Sequence, residues 1–226
     1  MIHYNILSTG SEGNAVIIQD IVLVDCGVSW KLIEPYAKGL KLVLISHIHV
    51  DHLKKQTIKR LAAERPTLRF GCGRFVVPSL LNAGVRESNI DILDADVMYG
   101  YGILNVIPVA LSHNVPNYGF KLHFKGGKVF YATDTGNLNG ISARHYDLYM
   151  LEANYGEAEI QERIKQKEEV GGYVYEYSVL KNHLSLEQCN DFIYRNIGPG
   201  GEYVYLHQHK ERAEHGHNRE DHPDRR

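Results

Sequence analysis

Apolar positions recur along this chain in two rhythms. Short runs rich in β-branched and aromatic side chains, bounded by turn residues, predict strands at 2–7, 14–19, 21–25, 41–45, 67–70, 103–109, 119–124, 128–132, 147–151 and 202–206. Apolar residues three and four apart predict helices at 29–38, 53–64, 73–83, 157–170 and 185–196. Gly126-Gly127 punctuates a hairpin between two of the strand-like runs. Gly198-Pro199-Gly200-Gly201 closes the last helix. Strands interleaved with helices, without an internal repeat or interior linker, predict one α/β unit over 1–208. From His209 the pattern stops: "HKERAEHGHNREDHPDRR" has almost no apolar positions, and 209–226 reads as a disordered polar tail. Its histidines, His215, His217 and His222, read as solvated.

Composition narrows the class without naming a function. A chain of 226 residues, 43% hydrophobic and 23% charged, can bury one sizeable core. A net charge of -2 exerts no bulk pull on nucleic acid or acidic membranes, although a local site can still be basic. Cys26, Cys72 and Cys189 lie far apart and form no CxxC, which predicts reduced thiols and a cytoplasmic protein. The N-terminus lacks the basic and apolar regions of a signal peptide. No apolar run approaches the ~18 residues of a membrane span, so no membrane partner is expected. The unusual count is thirteen histidines, and their placement carries the chemistry.

The run Leu42–Ile45 is followed by Ser46-His47-Ile48-His49-Val50-Asp51-His52. In an extended segment residues i and i+2 point to the same side, so His47 and His49 can grip one metal together. Asp51 and His52 follow where a turn can aim both at a second. Imidazole nitrogen and carboxylate oxygen suit divalent zinc or manganese. Further candidates sit where other predicted strands end: His113 in "LSHN", Asp134 in "ATDTG", Glu152 in "LEANY" and His207 in "YLHQH". Singly each is an ordinary polar residue after a strand; their succession after the same kind of run points to one shared site. In "STGSEGN", Gly10, Gly13 and Asn14 suit a tight turn, favoured over a phosphate-facing loop. Lys54, Lys55, Lys59 and Arg60 read equally as a solvated helix face or as contacts to a nucleic-acid backbone.

"HIHVDH", "SHN" and "DTG" together resemble the metallo-β-lactamase superfamily over about residues 1–209. "STGSEGNA", "LVDCG", "EANY" and "NHLS" look closest to its YycJ (WalJ) group of nucleases, related to RNase Z. The resemblance implies an α/β fold, an αββα sandwich of two mixed sheets flanked by helices. It implies two divalent ions, zinc or manganese, holding a hydroxide that attacks a phosphodiester in an exonuclease-type reaction. His47, His49 and His113 would hold one ion, Asp51, His52 and His207 the other, with Asp134 bridging and Asp25 orienting ligands. Asp51, His183 and Glu152 would be catalytic: His183 would donate the leaving-group proton and Glu152 would orient it. Ser185 reads as the N-cap of the helix that starts at Leu186. The implied partners are nucleic acid, DNA ahead of RNA, or a small nucleotide.

Two departures stand out. His207-Gln208-His209 replaces the usual His-Leu-Ser, so either histidine could be the last ligand; His207 is favoured because it directly follows the apolar run. Asn182 stands where a glycine usually precedes the histidine. A second reading is a small-substrate hydrolase of the same fold, acting on a cyclic nucleotide or on a thioester, lactone or lactam. A redox or purely metal-binding role is disfavoured: redox relatives usually carry Glu at the His49 position and an added flavodoxin domain.

Overall fold

The computed structural model describes residues 1–208. The polar segment 209–226 and the alternative ligand His209 lie outside the described residues.

Twelve strands form two six-stranded sheets among these residues. The first runs β1 (Tyr4–Ser8), β2 (Ala15–Ile18), β3 (Val22–Val24), β4 (Leu42–Ile45), β5 (Arg69–Cys72) and β6 (Ile90–Ile92), each beside the next. The second has the order β12 (Glu202–Leu206), β11 (Leu148–Glu152), β10 (Gly127–Ala132), β9 (Asn117–Phe124), β8 (Leu104–Leu111), β7 (Tyr99–Gly100). Both sheets are mixed. β3 to β6 pair in parallel, as do β10, β11 and β12; the remaining pairs are antiparallel. The expected hairpin is present, with Phe124 opposite Gly127.

Continuous apolar runs such as "AVII" and "LVLI" arise because these strands are covered on both faces. Val16, Ile18, Leu42 and Leu44 point inward, against Val106, Leu122, Tyr131 and Met150 of the second sheet. The alternate residues Ile17, Leu23, Val43 and Ile45 point outward. They pack with Ile33 of α1 (Trp30–Ile33), Ile58 and Leu61 of α2 (Lys55–Glu64), and Leu80 of α3 (Val77–Asn82). The outer face of the second sheet, with Phe130, Tyr149 and Leu151, is covered by Cys189, Phe192 and Ile193 of α6 (Leu186–Asn196). The layers are therefore helices, sheet, sheet, helices, as expected. α4 (Glu157–Glu169) and α5 (Glu176–Asn182) pack on each other through Ile160, Ile164, Val179 and Leu180. The three cysteines are buried and free. Among the described residues no helix is long and apolar enough to cross a membrane.

Several boundaries differ from the sequence expectation. The helix expected at 29–38 is regular only over Trp30–Ile33, because Pro35 has no N–H to continue the ladder. The helix expected at 73–83 is a 3-10 turn, Arg74–Val76, followed by α3, with Pro78 in the first turn. α5, β6 and β7 were not expected. The tyrosine-rich approach to α5 alternates like a strand, and the two strands have three and two residues.

Candidate metal centre

The candidate side chains lie at one edge of the sandwich, because all but His183, which caps the end of α5, come from the carboxyl ends of strands or the loops that follow them. Asp25 follows β3, Ser46 and His47 follow β4, His113 follows β8, Asp134 follows β10, Glu152 ends β11 and His207 follows β12. Asp25, Asp134 and His207 have φ of 59°, 55° and 50°. Left-handed backbone is uncommon for residues other than glycine and gathers at functional sites. Here it turns three strand ends sharply. Tyr131 Oη donates to Asp25 Oδ2 at 3.1 Å, tying the two sheets together beneath the site.

The candidate donors form overlapping groups whose donor atoms lie within 4.8 Å of one another: His47, His49 and His113; His47, His52 and Asp134; Asp51, His52 and His207; and Asp134, Glu152, His183 and His207. All the expected ligands are thus brought together. His47 Nε2 and His49 Nδ1 are 3.0 Å apart, as for two nitrogens aimed at one point. The hydroxyl of Thr9 accepts from the backbone N–H of His207.

Five of the imidazoles, those of His47, His52, His113, His183 and His207, are oriented from behind. Asp25, fully buried, accepts from Ser46 N at 2.8 Å and Ser46 Oγ at 3.0 Å, and faces His52 Nδ1 at 2.8 Å. Ser46 Oγ lies 2.9 Å from His47 Nδ1. His113 Nδ1 donates to the Asn182 carbonyl at 3.0 Å. Glu152 Oε1 lies 2.6 Å from His183 Nδ1 and 2.9 Å from His207 Nδ1. Its Oε2 accepts from the N–H groups of Thr135 and Leu184. This buried carboxylate therefore faces four donors, two of them imidazoles.

Sequence reasoning missed several supports. Asn14 does shape the loop, bonding both N and O of Gly10, but it also reaches Asp51 and lies 2.8 Å from His52 Nε2. Its position in "STGSEGN" was visible, but not what it faces. Ser46, Tyr131 and the Asn182 carbonyl gave no signal. The unusual Asn182 is accommodated as the last residue of α5, its amide donating to Ser178 O.

The electrostatics sort the imidazoles. Burial, helped by the neighbouring His52, pushes His47 down to about 2, and burial also lowers His113. Both are neutral at pH 7 and carry a free lone pair. Burial would lower His52 as well, but Asp134 and Asp25 overcome it and hold the group well above the usual histidine range. His207 is raised against its burial by Asp134 and Glu152. Burial alone would raise Asp134, but His52 and His207 hold its carboxyl well below the usual range. His52 and His207 thus flank the Asp134 carboxylate, in positions that a cation can also take.

The side chains fit divalent ions on a further observation. His113 Nε2, His207 Nε2 and Asp134 Oδ2 are buried without a hydrogen-bond partner. Asp134 Oδ2 does lie 2.8 Å from His52 Nε2, an ion-pair distance. Buried polar atoms are ordinarily paired. Each of the three residues belongs to one of the clustered donor groups, and nitrogen and oxygen donors of this kind suit a divalent ion.

A sequence profile described as the beta-lactamase superfamily domain matches residues 21–193. Among solved structures, the chain is similar to the metallo-β-lactamase fold protein YhfI from Bacillus subtilis, at 16% identity and TM-score 0.72 over 92% of this chain and 86% of that one. It is similar to the short form of human tRNase Z at 15% identity and TM-score 0.62, over 94% of each chain. It is also similar to a diphosphatase from the PhnP family, at 14% identity and TM-score 0.64 over 93% and 91%. These likenesses are of fold. A curated relative, cytidine monophosphate-N-acetylneuraminic acid hydroxylase from Pongo pygmaeus, is 37% identical over 73 residues, which is 28% of this chain and 12% of that protein. The chain spans only a small part of such relatives.

Proposed function

Because the chain belongs to the metallo-β-lactamase superfamily, we propose that it is a metal-dependent phosphodiesterase, and within that class a nuclease of the exonuclease type, similar to the YycJ group and acting on DNA ahead of RNA. His47, His49 and His113 would hold one divalent ion, and Asp51, His52 and His207 a second, with Asp134 between them. When bound, zinc or manganese would supply a water acidified to a nucleophile and positive charge for the phosphoryl oxygens.

The observation that carries the phosphodiester reading is the Glu152–His183 pair at 2.6 Å beside these donors. Expulsion of a sugar alkoxide needs a proton. Burial would lower His183, but Glu152 raises it above the usual histidine range and favours the protonated form. Glu152 engages Nδ1, which leaves Nε2 as the atom that can protonate the leaving oxygen. The His183 side chain is 14% exposed, so the acid is reachable. Asp25 and Ser46 hold the imidazoles of His52 and His47 from behind, an arrangement that fixes ligand direction. The two similar structures described as a tRNase and a diphosphatase support a phosphorus-centred substrate.

The second reading, a small phosphodiester such as a cyclic nucleotide, draws on the net charge of -2.

The test uses protein reconstituted with manganese or zinc, supplied with linear duplex DNA, single strands, RNA and cyclic nucleotides side by side. Strand hydrolysis with about two ions per chain is expected. Hydrolysis of cyclic nucleotides alone establishes the second reading. His183→Ala should lose on the order of 10²–10⁴ in rate on DNA. It should lose far less on a nitrophenyl phosphodiester, whose leaving group needs no proton, and should keep both ions. If His183→Ala slows both substrates equally, the proton comes from elsewhere.

A further inference from the structure

α5 joins the candidate acid to an exposed aromatic surface. Its carboxyl end belongs to the site: His183 caps the helix, the Asn182 carbonyl accepts from His113 Nδ1, and the Lys181 carbonyl lies against Gly136, two residues after Asp134. Its other end emerges from residues 170–177. These hold four large hydrophobic side chains in contact with solvent: Val170, Tyr173, Tyr175 and Tyr177, at 80%, 84%, 55% and 48% exposure. No other eight-residue stretch among the described residues holds as many. Apolar surface gathered in this way marks a contact surface.

The fold does not use these rings. α4 and α5 hold each other through Ile160, Ile164, Val179 and Leu180 instead. Of the three tyrosines only Tyr177 makes a side-chain hydrogen bond among the described residues, donating to Glu168 Oε1 at 2.6 Å. Charge at this end is mostly engaged within it. Lys167 pairs with Glu176 at 2.7 Å, Glu168 accepts from Tyr177, and Glu169 is exposed. The surface therefore offers ring faces rather than positive charge. A cation stands nearer the metal centre. Lys181 is exposed, has no ion-pair partner among the described residues, and lies two residues before His183. It follows Tyr177 by four residues, so the two share one face of α5. From Tyr175 to His183 is about 12 Å along the helix. That is on the order of three nucleotide steps.

Resting on the nuclease reading, we propose that a single nucleic-acid strand lies along α5 on one side of the scissile bond, with a phosphate near the cut at Lys181 and bases further out stacked on Tyr173 and Tyr175. The helix that carries the acid at one end thus carries the strand's platform at the other. Every base has a π face, so such contacts hold a strand without reading its sequence. A tyrosine can keep its hydroxyl in water while a base covers its ring. Stacking also needs no excess of positive charge, which is how a chain of net charge -2 can hold a polyanion.

The experiment compares a long and a short substrate. Full-length protein reconstituted with manganese or zinc is supplied with a single-stranded eight-mer and with bis-nitrophenyl phosphate, which is too small to reach Tyr175 from the metal centre. Tyr173→Ala/Tyr175→Ala should lower kcat/KM on the eight-mer by on the order of 10–100-fold, mainly through KM. It should lose much less on the small diester. Tyr173→Phe/Tyr175→Phe should stay near wild type, whereas Tyr173→Leu/Tyr175→Leu should resemble the alanine variant, because stacking needs a ring. Lys181→Gln should lower kcat/KM on the eight-mer and make it less sensitive to salt. The control is Tyr194→Ala/Tyr203→Ala, two exposed tyrosines at the opposite end of the second sheet, which should leave the eight-mer unaffected. A leucine variant as active as the phenylalanine one, or an alanine variant that handles the eight-mer like wild type, overturns the platform and leaves the nuclease reading standing. An equal loss on both substrates also overturns it, the tyrosines then being structural. So does an alanine variant that changes only the oligomeric state by light scattering, which would make this surface a protein contact. A wild-type protein that cleaves no oligonucleotide, yet hydrolyses cyclic nucleotides, overturns both readings.

Discussion

Glu152 serves two histidines with one oxygen. Its Oε1 faces His183 Nδ1 and His207 Nδ1, and its other oxygen is held by backbone N–H groups. In Glu152→Gln an amide group would face two imidazoles with half the acceptor capacity. It should therefore do more than blunt the acid. Metal affinity should fall on the order of 10–100-fold through loss of His207's orientation, measured by chelator competition, whereas His183→Ala should leave affinity near wild type. Equal affinities for Glu152→Gln and wild type would mean that His207 is oriented without it. The histidines and Asp134 were legible in the sequence because several ligand-type side chains followed successive apolar runs. Their supports were not: a serine, an asparagine or a tyrosine behind an imidazole has no periodicity. The Asn182 carbonyl that holds His113 carries no residue type at all. Nor does sequence reveal that Asp25, Asp134 and His207 adopt positive φ.

Between elements, close backbone approaches set the positions of the site residues. A Cβ on Gly136 would overlap the Lys181 carbonyl oxygen, and one on Gly27 would overlap that of Asp51. Neither glycine has a positive φ, so space alone demands it. These contacts give "DTG" and "DCG" a physical meaning that their spelling does not convey. Gly136→Ala should push the end of α5 away, and with it both His183 and the carbonyl that orients His113. A cost of about 1–3 kcal/mol is expected in urea unfolding, together with loss of activity. Combined with His183→Ala, the rate loss should be well short of the product of the two, since both act on one group. Ser185→Ala, which removes the capping box of α6, should cost about 1 kcal/mol by the same measurement. Helices with uninterrupted periodicity, α2, α4 and α6, were legible within two residues at each end. α1 and α3 were shortened by prolines already in view, and α5 was masked by the alternation of Tyr173, Tyr175 and Tyr177. Of the basic residues before and within α2, Arg60 is taken up by Glu34, Glu64 and the Trp30 ring.

Across the whole molecule, the two-sheet sandwich was legible because buried strands leave continuous apolar runs, while the short strands β6 and β7 leave almost none. The site joins both sheets, from Asp25 after β3 to His207 after β12, and Thr9 near the N-terminus accepts from the His207 N–H. β12 is an edge strand, and it is last in sequence among the described strands. On the proposed ligand set, a nascent chain has no complete donor set until His207 has emerged, and ions would then act on the folded state. In a stopped-flow experiment, manganese or zinc should leave the refolding limb unchanged and depress the unfolding limb, because contacts absent from the transition state slow only unfolding. An ion at about 100 times its Kd adds about 2.7 kcal/mol to equilibrium stability, and that gain should appear almost wholly as a longer native lifetime. Accelerated refolding would instead mean that the His47, His49 and His113 group gathers before β12 docks.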